Sequence, residues 1–497
     1  MKKIIAIFLI ITMLSGMLLS CDIVESDNDL TESQSETEVG DTTEKPTEKP
    51  TEKPTEKPTE KPTEKPTEKP SEGEGENNNG NASNKDFTGY TPITTVQELK
   101  GISPDGKYYL TKNIDIGGAE WVPLCSSGKA FKGVFDGNGY TVSNFKLMGS
   151  QSSEGLFGSN SGIIENLNIK DVTVNISGSD MNLLCIGGLV GCNLGTVIKC
   201  SADGSITVNG VRYGTVGGLV GENRGEIVDS CSAVAVSLKV TQEGSVGGLV
   251  GSNDKNILYS YATGSVNVEG KNCVGGGLIG LNKNTIKDCY STSAITSASA
   301  EYSQFGGFAG YNKGIIENSC AIGDITVSDS DLSKAGGFAG EDLYGIIKNC
   351  YATGAINAGG KVYAGGFLGE AGDSTISNCY ATGNVSAHCS GGFIGVGSDA
   401  TINNCYAVGN LTCKQSSIYA GGFIADSMDN NVNNSYRSSS QTISNAPGFV
   451  NYDDGASKGS NTLKTVDFQK TTLGWLDSIW TFTEGQHPVL KNINIIK

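Results

Sequence analysis

Basic side chains and histidine are scarce in this chain of 497 residues. Lys and Arg number 36 against 53 Asp and Glu, a formal charge of −17. Arginine occurs only at Arg212, Arg224 and Arg437. No basic stripe can be drawn, which excludes nucleic acid as a partner. Histidine occurs only as His388 and His487, and H-E-x-x-H is absent, which excludes the helical zinc-peptidase motif. No Cys or His pair has zinc-ligand spacing, and no G-x-S-x-G stands in a strand–turn–helix context. Cys389 follows His388 directly, so on a strand the two point to opposite faces and cannot form a nucleophile–base pair. His388 reads as a polar position on a strand. No cofactor and no metal is implied. Helical periodicity is missing throughout the centre of the chain, and outside the first twenty residues no run is apolar enough to span a bilayer.

What is abundant is glycine, 69 residues, and it is periodic. A Gly before Leu or Phe, mostly as Gly-Gly-Leu/Phe, recurs at Gly155, Gly188, Gly218, Gly248, Gly277, Gly307, Gly337, Gly366, Gly392, Gly422 and Gly448. A period near thirty residues held over so many copies describes a solenoid in which each unit is buried by its neighbours. Columns appear when the copies are aligned. An Asn column runs Asn160, Asn193, Asn223, Asn253, Asn282, Asn312. Two residues on come mostly Gly or Asn (Gly162, Gly195, Gly225, Asn284, Gly314), types that tolerate positive φ. A β-branched column follows, from Ile164 to Val432, then a Cys/Ser column (Cys200, Ser230, Ser260, Cys289, Ser319, Cys350, Cys379, Cys405, Ser435). Next to it lies a Tyr column: Tyr261, Tyr290, Tyr351, Tyr380, Tyr406, Tyr436.

Each unit therefore reads as three short strands separated by Gly/Asn turns. Stacked in parallel, such units pair their backbones with the rungs above and below and enclose a narrow core. The expected fold is all-β, a parallel β-helix of about 11–13 rungs. A right-handed coil is favoured by the bias of parallel crossovers. The sequence leaves open which of two adjacent apolar rows, Leu/Phe or Val/Ile/Ala, faces inward after the Gly-Gly pair. The Leu row becomes a Phe row at Phe308, and the turn gains a residue after Gly340, which suggests a joint near residues 300–340.

These repeats resemble the GLUG motif of bacterial surface proteins, found beside IgA-specific metallopeptidases and in adhesin-like chains. Lead-in segments (residues 108–116, 121–123 and 131–140) and a closing segment with Trp480, Thr481, Phe482 and His487, Pro488, Val489, Leu490 are similar to the same family. The resemblance spans roughly residues 90–497 and implies a scaffold rather than a site. Without H-E-x-x-H, the peptidase activity of some GLUG-bearing chains does not carry over.

In chain order, residues 1–20 read as a lipoprotein signal peptide, ending Leu18-Leu19-Ser20 before Cys21, the expected lipidation site. An ordinary signal peptide or membrane helix is the alternative. Residues 21–86 read as a disordered linker containing seven consecutive Thr-Glu-Lys-Pro units, a stalk whose alternating charges cancel. Residues 87–150 are expected to form an N-terminal cap and first rungs, 151–450 the repeats, and 451–497 a cap over the last rung. Asp136-Gly137-Asn138-Gly139 reads as a turn, with too few oxygens for calcium.

Of the 14 cysteines, five fall in the Cys/Ser column, and without Cys21 the rest are odd in number. Buried thiols are expected there rather than bridges, since Ser substitutes freely and stacked neighbours have poorly directed Cβ vectors.

Two sets of residues are candidates for function. Glu341 and Glu370 hold the same position on neighbouring rungs, at a spacing suited to a retaining glycosidase. Their column otherwise varies (Ser159, Cys192, Glu222, Ser252, Leu281, Tyr311, Val396), as solvated turn residues do. Tyr351, Tyr380 and Tyr406 should point outward if the Cys column points inward, an exposed stack with Thr353 and Thr382 on the same face. The competing reading is a self-stacking ladder that only stabilises the sheet. The function expected is a lipid-anchored, extracytoplasmic surface protein that binds a surface glycan or a host or neighbouring-cell protein. A polysaccharide lyase or hydrolase, or a plain spacer, is the alternative.

Overall fold

Most strands of the repeats are short, and each finds its hydrogen-bond partners one rung away. The computed structural model describes residues 85–495, apart from 127, 150, 179–183, 415–418, 446–447, 449 and 452–453. The expected signal peptide, Cys21 and the Thr-Glu-Lys-Pro tract lie outside the described residues. The rest is a parallel β-solenoid. One sheet of 13 strands runs from Thr91–Ile93 to Asn431–Asn433, and a second of 10 runs from Phe157–Asn160 to Ile424–Met428. A third and larger sheet carries the remaining arms of each rung. Among the described residues every strand pairing is parallel save one, Trp480–Thr481 with Val489–Leu490. The rungs are joined in register, for example Val197↔Ile227, Ile227↔Ile257 and Ile257↔Ile286.

The β-branched column fills the core of the first sheet, and the Cys/Ser column beside it is buried. Both rows left open by the sequence face inward. Leu219 and Val220 are fully buried, as are their counterparts along the axis. Leu219 sits at the bend between strands Ser201–Gly217 and Val220–Asn223, where the chain turns a corner and two successive side chains can enter one core.

The glycines of this corner are required by close approach. A Cβ on Gly221 would lie 2.6 Å from both the Gly191 carbonyl oxygen and the Ile186 nitrogen. The strands before and after the Gly-Gly bend thus lie backbone against backbone. The column Gly162, Gly195, Gly225, Gly314, read above as suited to positive φ, is corrected: none of these has a left-handed φ. A Cβ there would run into the carbonyl of the rung before. A left-handed column stands instead just before the Cys/Ser column and includes Asp288 (φ 53°), Asn318 (50°), Asn349 (55°), Asn378 (56°) and Asn404 (56°).

The N-terminal end carries the helix Val96–Lys100, closed by a capping box between Thr95 and Glu98 that inserts Leu99 into the core. No sequence signal was read for it. The change near residues 300–340 is a change of cross-section, not a break. Ala309–Asn312 pairs in register with Ala339–Leu343, and from there on this strand has five residues instead of four.

The C-terminal segment departs from expectation. Residues 451–497 were expected to cover the last rung. The last coil continues to strand Ala456–Lys458, which pairs with Tyr436–Ser438. The residues beyond it turn back along the flank of the solenoid. Leu463, Phe468, Leu473, Trp475, Trp480 and Leu490 form a second core there, separate from the axial one.

Candidate functional site

The surface this strap covers is the tyrosine column. The Cys/Ser column does point inward, strand alternation does turn the tyrosines away from the core, and they stack. Tyr351–Tyr380 and Tyr380–Tyr406 ring centroids are 5.0 and 5.1 Å apart with planes within 5°. The expectation of an exposed stack is nevertheless contradicted. Tyr351, Tyr380 and Tyr406 are 3 %, 2 % and 0 % exposed. Trp480 packs on Tyr351 and Tyr380, and Trp475 on Tyr380 and Tyr406. The Tyr380 hydroxyl donates to the Pro488 carbonyl at 2.8 Å, and the Tyr406 hydroxyl lies 2.8 Å from His487 Nδ1. Thr353 and Thr382 are half-buried beside the column. The three tyrosines form an internal seam between strap and coil. The physical reason is plain: a strip of stacked rings is apolar surface, and the chain supplies its own aromatic cover. The closing segment's Trp480 and His487 were visible in the sequence, but nothing there linked them to the tyrosines.

The carboxylates come together as the spacing predicts. Glu341 pairs in register with Glu370. Both belong to a second seam, where side chains of the strand before the Gly-Gly bend meet those of the strand after it. Before the bend the row reads Cys185, Thr215, Ser245, Val274, Gln304, Lys334, Tyr363, Cys389. After it the row reads Cys192, Glu222, Ser252, Leu281, Tyr311, Glu341, Glu370, Val396, Asp426. Lys334 Nζ lies 2.7 Å from Glu341 Oε2 and 2.9 Å from Glu370 Oε2, with side-chain exposures of 14 %, 5 % and 29 % respectively. Burial opposes the charge on Lys334, but the two carboxylates outweigh it and hold the ammonium protonated above its ordinary range. Burial pushes the Glu341 carboxyl up. Tyr363, half-buried, is likewise pushed up, by burial first and then by charges that include Asp426 and Glu370. Lys334 is the residue that sequence reasoning missed. Its seven-residue offset from Glu341 reveals the pair only once the bend is known.

A third feature is internal. The Asn column forms a continuous ladder, each Nδ2 donating to the Oδ1 of the next rung at 2.7–2.9 Å from Asn160 to Asn312. It ends where Asn312 Nδ2 donates to Asp342 Oδ1 at 2.5 Å. A second ladder on the left-handed column joins Asp288, Asn318, Asn349, Asn378, Asn404 and Asn434.

Residues 182–209, 242–267 and 360–386 match the model of the GLUG motif. Three segments of the repeat region thus carry the GLUG motif. Residues 41–74, outside the described part, match the model of the PT disordered repeat. No curated protein matches the chain. Among solved structures, the chain is similar to a crystal structure from Bacteroides ovatus described as a "putative immunoglobulin A1 protease". Identity is 18 %, coverage 81 % of this chain and 92 % of that one, and the TM-score 0.39. At that level the likeness carries no argument about activity.

Proposed function

We propose that the chain is an exported, lipid-anchored solenoid that binds a glycan or protein ligand along the C-terminal half of the Gly-Gly seam. The observation that carries this reading is the Lys334–Glu341–Glu370 triad between Tyr311 and Tyr363. It sets charge and aromatic surface side by side, and Glu370 and Tyr363 stay partly open. The tyrosine ladder, by contrast, is closed. Export and anchoring rest on the apolar residues 1–20 and on Cys21. Repeat faces of this kind serve binding.

The enzymatic reading has the adjacency of Glu341 and Glu370 in its favour. Against it, one ammonium engages both carboxylates, so neither is free to act as acid or nucleophile. A screen of the full chain against surface glycans and cell-surface proteins tests binding. Glu370→Gln with Tyr363→Ala should weaken the ligand found by about thirtyfold, an ion contact and a ring contact each contributing on the order of 1 kcal/mol. Tyr380→Phe, under the strap, should leave it unchanged. A ligand insensitive to the seam variant, or the absence of any saturable ligand, would sink the proposal, the latter in favour of a spacer. In the same cells Cys21→Ala should move the protein from membranes to the soluble fraction; retention there argues against the anchor.

A further inference from the structure

The N-terminal half of the same seam holds two cysteines, Cys185 before the bend and Cys192 after it. Positions seven apart meet across this seam: Lys334 bonds Glu341, and Val274 packs in one cluster with Leu281. Short side chains at the Cys185 position lie against the facing strand. Ser245, in its row, donates to the Gly251 carbonyl at 2.7 Å, next to Ser252, and Cys389 donates to the Gly395 carbonyl at 3.7 Å, next to Val396. Cys185 itself points that way, its Sγ 3.8 Å from Glu222 Oε2. Glu222 is the register neighbour of Cys192. Cys185 and Cys192 thus hold facing positions of one seam.

Their surroundings differ from those of the column cysteines. Cys200 and Cys289 sit in apolar core, where burial pushes each thiol up to about 12. Cys192 instead lies beside the Arg224 guanidinium, which is paired with Glu222 at 2.9 Å. A guanidinium favours the thiolate, the attacking form.

We propose that Cys185 and Cys192 are a redox-active dithiol that closes to a disulfide across the Gly187-Gly188 bend, with a small-molecule or protein disulfide as oxidant. The Cys192 thiolate attacks one sulfur of that disulfide, forming a mixed disulfide and releasing one thiolate, which takes up a proton. Cys185, giving up its proton to water, then displaces the second thiolate from Cys192, and that thiolate takes up a proton. Two thiols lose two electrons and two protons, and one external disulfide becomes two thiols. The disulfide would clip together the strands on either side of the bend.

The test uses the full chain equilibrated in oxidised/reduced glutathione buffers, acid-quenched, alkylated and mapped by mass spectrometry. In the oxidising buffer a linked peptide pair containing Cys185 and Cys192 should appear, while Cys200, Cys289 and Cys379 stay alkylatable after denaturation. Cys192→Ser should abolish the link; serine already occupies this position at Ser159 and Ser252, so the rung tolerates it. Arg224→Gln should slow native-state alkylation of Cys192 about tenfold. Free Cys185 and Cys192 in the most oxidising buffer would overturn the proposal. So would oxidation spread evenly over the column cysteines, or a Cys192 rate indifferent to Arg224.

Discussion

A buried asparagine and a buried aspartate of the same shape make different demands, and the internal ladder contains both. Each Asn donates to the next and accepts from the last, so the whole ladder is satisfied without charge. Asp342 accepts from Asn312 but has no amide to offer. Its Oδ2 has no hydrogen-bond partner, and the Ser374 hydroxyl beside it lies within reach of main-chain carbonyls of Asp342 and Gly372. Burial raises its pKa from the ordinary carboxylate value to about 7. The folded state therefore prefers the protonated acid. The stability this group supports is complete below about pH 4 and declines as pH rises towards 7. Asp342→Asn removes the titration and restores a donor. Unfolding midpoints should coincide for variant and wild type near pH 4. By pH 8 the variant should be more stable, by up to about 4 kcal/mol from a shift of about three units. A pH-independent difference would mean that Asp342 is not the titrating group. The sequence shows where the Asn column stops. It does not show that the stopping residue is interior, because one Asp in a turn looks the same buried or solvated.

At the scale of elements, the strap and the tyrosine ladder explain one another. The strap has short helical turns, Thr462–Lys464 and Phe468–Thr472, and one two-residue antiparallel pair, too little to hold itself. It is held by ring contacts and by a few bonds, among them Trp475 Nε1 to the Asn404 carbonyl at 3.2 Å and Tyr406 to His487. Burial first, then Lys464, lowers the His487 pKa from 6.5 to about 4. A lowered histidine supports folding above its unfolded value and loses that support as pH falls through the folded one. Strap docking should therefore weaken between about pH 6.5 and pH 4. Tryptophan emission should shift to the red over that window, since Trp475 and Trp480 are buried only in the docked form. His487→Gln, which cannot titrate, should lose the transition; an unchanged profile would assign it elsewhere. The repeat and its stacked columns were legible in the sequence because period and register speak through many copies; that both apolar rows after the Gly-Gly pair face inward was not, because a corner leaves no mark in the columns. The strap was not, because a segment that occurs once has no period to reveal its partner.

At the scale of the molecule, a solenoid has only neighbours. Rung contacts reach one step along the axis, so stability is a sum of local terms and opening can begin anywhere. The strap breaks that rule on one side. It touches Tyr351, Tyr380, Tyr406 and Tyr436 on four successive rungs, through residues as remote in sequence as Tyr380 and Pro488. Those rungs must open together or shed the strap first. The N-terminal rungs, with their Asn ladder and without the strap, keep nearest-neighbour behaviour. Truncation after residue 461 should therefore act on one half only. Amide hydrogen exchange over strands Tyr351–Ala352, Tyr380–Ala381 and Tyr406–Ala407 should quicken at least tenfold, while Val190–Asn193 and Val220–Asn223 remain protected as before. The truncated chain should also bind an apolar dye that the full chain excludes, because the stacked rings become surface. Uniform loss of protection along the axis would mean that the strap stabilises the coil as a whole. No change at all would mean that the ladder's own stacking suffices without its cover.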